Sequence, residues 1–251
     1  MNKLRGLLIF IMVFVFISGF LVLIYPHVYG QVVDKKITAD ANSFLQKTDV
    51  PESDPGVAVH SEEAEKPKIH SALWDEMAWY NHRIWLEHQA GLSDPWSYEQ
   101  PSFTLGEYGF EDEIFGVIQI PALNITMPIY LGASHQHMDD GAAHLSQTSL
   151  PIGGTNTNSV IAAHNGWGGA SYFRHIPDLK AGDEILITNP WETLHYTVSE
   201  NNIIAPNDIE EILIQDGRDL VTLLTCYPYG TGGRQRYLVI CERSDTHVPV
   251  S

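Results

Sequence analysis

Residues 221–230, "VTLLTCYPYG", form an apolar run rich in β-formers that stops at a cysteine and breaks into a turn containing Pro and Gly. A short run of this kind reads as a strand. A cysteine within such a strand packs as a small apolar side chain. One at the end faces whatever cleft the next loop builds, so Cys226 is a candidate nucleophile and its strand is one piece of a β-rich fold.

The rest of the second half of the chain repeats the pattern. "IFGVIQI" (114–120), "ITMPIYLG" (125–132) and "NSVIAAH" (158–164) are short β runs divided by prolines and by Gly, Thr and Asn loops. "DEILITNPWETLHYTVSENNIIAP" (183–206) reads as a hairpin around Asn189-Pro190, and "RYLVICER" (236–243) is a further strand. Many short strands with turn punctuation and few helices predict a mainly β fold, a barrel or a sandwich. Helical turns are expected at "GASYFRHI" (169–176) and "PNDIEEIL" (206–213) on its outside.

Upstream, "IHSALWDEMAWYNHRIWLEHQAG" (69–91) places Leu73, Met77, Tyr80 and Ile84 at helical spacing, with Trp74 and Trp85 beside the stripe and Gly91 as the expected stop. This predicts an amphipathic helix laid on the main domain. Before it, residues 31–66 are polar and acidic, including "PESDPGVAVHSEEAEK", and read as a linker.

The N-terminus carries Lys3 and Arg5, then an uncharged, mostly apolar run over residues 6–25. That is about the 20 residues that cross a bilayer core as a helix. Basic residues on the short flank hold that end in the cytoplasm, so the rest of the chain is expected outside the cell membrane. The other reading of the run is a cleavable signal peptide, and it exports the rest equally.

The chain has 251 residues, a formal charge of −17 and fourteen Lys and Arg in total. Phosphate binding needs clustered cations, so a nucleic-acid partner is excluded from the reading. The two cysteines, Cys226 and Cys241, lie in separate apolar runs. A disulfide would need those strands adjacent with suitable Cβ geometry, and Cys241 is expected instead to pack as a buried apolar residue. No Cys/His cluster has zinc spacing and no glycine loop fits a phosphate, so neither metal nor other cofactor is expected.

A thiol is a nucleophile as its thiolate and needs a partner for its proton. Of twelve histidines, His164 in "SVIAAHNGWGG" repeats the layout of Cys226: a strand that ends at the reactive residue, then a glycine loop. Acyl transfer also needs a group for the developing oxyanion. Arg234 and Arg236, in "TGGRQRYLVI", lie two apart on an extended segment and so point to one side.

In that order, "AAHNG", "TLLTCYPYG" and "RYLV" resemble the sortases, the extracytoplasmic cysteine transpeptidases of Gram-positive bacteria. The likeness is to the pilin-polymerising class C, and it includes "IQIPALNITMPIY", "GAAHLSQTSLPIGG" and "LKAGDEI". The resemblance implies a sortase-type closed β-barrel with short helices, preceded by an N-terminal helical segment and a transmembrane helix. It implies Cys226 as nucleophile, His164 as acid/base and Arg236 as the oxyanion-stabilising residue, with Arg234 as the alternative because the loop from Cys to Arg is one residue longer than the family's. "LSDPWSY" (92–98) resembles the class's lid, in which Asp94 would pair with the arginine and Pro95-Trp96 would cover the thiol.

The expected organisation is an anchor over 1–30, an acidic linker over 31–68, a helical segment with the lid over 69–110, the catalytic barrel over 111–245 and a tail over 246–251. The implied partners are pilin or surface-protein substrates with LPXTG-like sorting signals, an acceptor lysine on a pilin subunit, and the membrane. Members commonly carry a second apolar segment after the barrel, which the sequence as given, ending "CERSDTHVPVS", does not contain. Two other readings stand beside this one: a housekeeping-type sortase that hands proteins to cell-wall peptide, and an inert surface binding module. A papain-like peptidase would have its cysteine before its histidine, the reverse of the order here.

Overall fold

A computed structural model describes residues 2–48, 71–90, 92, 101–110 and 113–244. The lid residues Asp94, Pro95 and Trp96 lie outside the described residues. The chain opens with the long helix α1 (Asn2–Lys47), followed by α2 (Ser71–Leu86). The strands are β1 (Ile114–Ile120), β2 (Ile125–Leu131), β3 (Ala142–His144), β4 (Thr157–Ala162), β5 (Asn165–Trp167), β6 (Ala170–Tyr172), β7 (Glu184–Thr188), β8 (Thr193–Ile204), β9 (Asp219–Tyr227) and β10 (Gln235–Arg243). A short helix, α3 (His135–Asp140), follows β2.

Eight strands close a barrel in the order β1-β2-β3-β4-β9-β10-β8-β7, and β5 and β6 form a separate hairpin. Closure leaves the barrel itself without a free edge. Most neighbours are antiparallel, but β2 pairs with β3, and β4 with β9, in parallel. The parallel β4–β9 pair makes two strands that are distant in sequence end side by side.

Strand alternation sorts the side chains into two faces. Ile118, Ile120, Ile161, Ile185, Ile187, Val221, Leu223, Val239 and Cys241 pack in one buried cluster that fills the barrel. Val160, Ala162, Leu224 and Leu238 belong to a second cluster on the outer face of β4, β9 and β10, together with Leu92, Leu145, Ile204 and Ile212. A third cluster seats α2 on the barrel through Leu73, Met77, Tyr80 and Ile84, the four residues the helical spacing picked out.

The structure departs from the sequence reading at three places. Helix α1 does not stop near residue 30 but runs to Lys47, so the first part of the expected linker is helical. The cause is tertiary: Ile37 joins the barrel cluster, Ala41 is fully buried, and Lys36 pairs with Asp140 at 2.7 Å. Helix α2 ends at Leu86, ahead of Gly91, because His88 and Gln89 take left-handed backbone angles. The Gln89 side chain then accepts from Ile214 N at 2.6 Å, tying that turn to the loop before β9. The expected helical turn at 169–176 is instead the short strand β6 (Ala170–Tyr172) followed by turns, with a 3-10 turn only from Ile176 to Asp178. The turn expected at 206–213 is present as a 3-10 turn, Glu210–Ile212.

Candidate active site

Three of the barrel's strands bring the candidate residues to one level. In the antiparallel β9–β10 ladder, Cys226 is the direct partner of Arg236. In the parallel β4–β9 ladder, Ala162 is level with Leu224. Continued for two residues, the same register sets His164 alongside Cys226. Hydrogen bonds hold that continuation: Ala163 N donates to Leu224 O at 3.2 Å, and Thr225 Oγ1 donates to Ala163 O at 2.8 Å. Asn165 Nδ2 donates to Cys226 O at 2.6 Å, which clamps the residue after His164 to the backbone of Cys226.

Cys226 follows Leu224 and Arg236 precedes Leu238 at the two-residue interval that keeps a side chain on one face of a sheet. They therefore continue the outer-face cluster, to which Leu92 also belongs. Cys226 is half-buried and Arg236 is buried. Arg236 Nη1 donates to the carbonyls of Gly233 and Gln235. A Cβ on Gly233 would lie 3.0 Å from that Nη1 and 3.1 Å from Cys226 Sγ, so the guanidinium and the thiol converge on one point where only glycine fits. Gly233 also has a φ of +72°, the left-handed region that glycine enters freely. Arg234 precedes β10 and is exposed. The two arginines do not share one environment, and it is Arg236 that faces the cysteine across the ladder.

His164 sits in a cradle of its own. Its Nε2 lies 3.2 Å from Asp139 Oδ1, its ring stacks on Trp167 at 5.5 Å, and Tyr172 meets it edge-on at 5.4 Å. Tyr172 Oη donates to Asp139 O at 2.6 Å, fixing the end of α3 that carries the carboxylate. Burial pushes the His164 imidazole below its ordinary pKa, and the Asp139 carboxylate partly opposes this. The neutral ring, able to accept a proton, is the favoured form at neutral pH.

Both cysteines are free. Cys241 pairs with Val221, five rungs along the ladder from the Cys226–Arg236 pair, and points into the barrel. Burial pushes its thiol well above the ordinary range, so it is packing material. Among the described residues, no group of three or more His, Cys, Asp and Glu could hold a metal ion.

Sequence reasoning missed Asn165, Asp139, Tyr172 and Trp167. Asn165 and Trp167 stood beside His164 in "AAHNGWGG", where position alone was the available signal. Asp139 lies in "HQHMDD" and reaches His164 only through the parallel crossover from β2 to β3, so no local pattern marks it.

Comparison with known proteins gives a consistent answer. The family model described as "Sortase domain" matches residues 118–244. Sortase D of Bacillus subtilis is 25% identical over 130 residues, which are 51% of this chain and 63% of that protein, so the match spans less than two thirds of the relative's length. Sortase C from Clostridium perfringens superposes with a TM-score of 0.62 at 31% identity, covering 82% of this chain and 99% of that one. A pilus-related sortase C of Group B Streptococcus gives a TM-score of 0.57 at 30% identity, with 70% of this chain and 93% of the other covered.

Proposed function

The chain belongs to the sortase family, and from that premise we propose that it is a membrane-anchored cysteine transpeptidase of the pilin-polymerising class. The observation that carries the reading is that Cys226 and Arg236 are direct partners across β9 and β10, while His164 follows two residues after the β4–β9 ladder that runs beside them. The pilus-related match and the sortase C likeness support the class. Helix α1, long and apolar enough to cross a membrane near the N-terminus, supports the anchor.

In this mechanism the Cys226 thiol gives its proton to the neutral His164 ring, and the sulfur attacks the carbonyl carbon after the threonine of an LPXTG-like signal. The carbonyl becomes a tetrahedral oxyanion, to which the buried Arg236 guanidinium donates hydrogen bonds. His164 returns the proton to the leaving amine as the peptide bond breaks, leaving a thioester on Cys226. A pilin lysine amine then attacks the thioester, loses a proton to His164, and releases the thiol as an isopeptide bond forms.

The segment Asp94-Pro95-Trp96 enters the proposal as a lid over the thiol. Support comes from Leu92, which is buried in the outer-face cluster with Leu224 and Leu238 and so brings the chain onto the face that carries Cys226 and Arg236.

Mass spectrometry tests the reading. The protein and its Cys226→Ala variant are incubated with an LPXTG-type peptide and a pilin domain that carries its acceptor lysine. The expected result is an acyl adduct on Cys226 that moves to the lysine and is missing in the variant. Transfer only to a wall-peptide amine would replace this reading with the housekeeping type. No adduct, even with Asp94 and Trp96 replaced, would leave a binding module.

A further inference from the structure

The anchor helix does more than leave the bilayer and hand over to a linker; it packs against the hairpin that follows His164. A Cβ added at Gly30 would collide with the backbone of Gly169 and lie 2.7 Å from Ala170 N. A Cβ at Gly169 would in turn collide with the carbonyl of Pro26. Backbone therefore meets backbone, as only paired glycines allow. Around that contact, a Cβ at Gly168 would sit 3.2 Å from the Tyr29 ring, and Ser171 N donates to Asp34 Oδ1 at 3.0 Å. Ile37 enters the same buried cluster as Ala170, Tyr172 and Phe173. The β5–β6 hairpin is thus fixed at a known height on α1.

That height is set by the apolar run. The large apolar side chains of residues 7–25 are all exposed, as a lipid-facing helix requires. Residues 6–25 fill a hydrocarbon core of about 30 Å at a rise of about 1.5 Å per residue. Pro26 to Gly30 then occupy roughly the next 2–8 Å, which is the depth of the headgroup layer. Tyr25, the last residue of the run, and Tyr29 are exposed and stacked on each other at 5.7 Å across the boundary of this zone, where aromatic side chains with a polar tip are favoured. Trp167, at the hairpin tip, is 61% exposed although it is among the largest apolar side chains in the chain.

We propose that the β5–β6 hairpin is a bilayer-contacting element whose tip, Trp167 to Gly169, lies in the lipid headgroup layer beside the anchor helix. The inference rests on the reading of α1 as membrane-spanning and adds to it a second point of membrane contact on the catalytic domain. Its functional consequence follows from the stack of Trp167 on His164. The proton-transfer side of the site stands at the membrane surface, and a substrate tethered in the same bilayer meets that side first.

Spin-label depth measurements on the full chain in nanodiscs of phosphatidylcholine and phosphatidylglycerol test this. In a Cys226→Ala background, with Cys241 buried and unreactive, nitroxides are placed through Trp167→Cys, Phe14→Cys and Thr155→Cys. Phe14 lies in the apolar run, and Thr155 is exposed before β4, at the end opposite His164. Collisions with oxygen report lipid and collisions with a nickel chelate report water. The expected label at 167 lies between the other two, at headgroup depth. A label at 167 as water-exposed as that at 155, with 14 deep in lipid, overturns the inference and leaves the anchor intact. A water-exposed label at 14 overturns the spanning reading and the inference with it. Quenching by lipids brominated near the headgroup provides a check that leaves position 167 native: the wild type should be quenched more than Trp167→Phe, and equal quenching counts against the contact.

Discussion

Arg236 sits directly across the β9–β10 ladder from Cys226, buried, with its Nη1 and the Cys226 sulfur each about 3 Å from the same point above Gly233. Arg234, two residues earlier, is exposed. If the guanidinium stabilises the oxyanion, Arg236→Lys should lower kcat/KM by about a hundred- to a thousandfold, since a lysine cannot reproduce the fork. Arg234→Lys should change it by no more than about twofold, as for an ordinary surface position. Steady-state transpeptidation by both variants separates the two, and the reverse ranking would move the role to Arg234.

The two thiols should differ sharply in reactivity. Cys226 is half-buried at a strand end, whereas Cys241 is fully buried inside the barrel. Iodoacetamide should modify Cys226 in the native protein, and Cys241 at least about a thousandfold more slowly, because its exposure requires opening of the barrel. Peptide mapping after timed labelling reads both rates.

Asp139 should tune His164 without touching substrate. The carboxylate favours the imidazolium, so Asp139→Asn should lower an already depressed His164 pKa further. Where neutral His164 accepts the thiol proton, the acidic limb of the kcat/KM profile moves to lower pH, while lost orientation reduces kcat. A profile that keeps its acidic limb and loses only amplitude would restrict Asp139 to structure.

Asn165 donates to the Cys226 carbonyl through Nδ2. Asn165→Ala removes that bond at a cost of about 1 kcal/mol. Asn165→Asp should be worse, because it sets a carboxylate acceptor against a carbonyl acceptor. Thermal unfolding of the three proteins should rank Asn above Ala above Asp; an Asp variant as stable as wild type would argue that the clamp is weak.

His144 gives the fold an acid-sensitive point. It is fully buried, with Nε2 2.9 Å from Ser149 O, and burial pushes its pKa down to about 4 from 6.5. The unfolded chain protonates it as pH falls through 6.5, and the folded chain does not until about 4. Its contribution is therefore full above pH 6.5 and is lost on acidification towards 4, by on the order of 3 kcal/mol. Urea midpoints at pH 7 and pH 4 should converge in His144→Gln relative to wild type.

Much of this was legible in the sequence because strand formation and helix amphipathicity are local. The runs at 114–120, 125–131, 184–188, 219–227 and 235–243 carry their own β-forming residues and turn signals, and the 73-77-80-84 stripe carries its own period. Cys226 and His164 could be singled out because each ends such a run. Parity alone, however, set Arg234 and Arg236 on one side, and could not tell which of them a ladder would use.

The sequence by itself determined that the chain is β-rich, acidic and headed by a long apolar run, and that a cysteine and a histidine lie near the ends of two of its strands. Only the tertiary structure decided that β4 and β9 run side by side, with Asn165 clamped to the Cys226 carbonyl. The parallel β4–β9 register, with Ala162 level with Leu224, directs the chain that carries His164 toward Cys226 across more than sixty residues, and the antiparallel β9–β10 register pairs Arg236, not Arg234, with Cys226. The length of α1 and the end of α2 were also decided there. Composition made residues 31–47 look like a linker, yet burial of Ile37 and Ala41 against the barrel rewards a helix that propensity and polarity did not announce. Non-local pairing and burial depend on partners distant in the chain, and no window of sequence contains them.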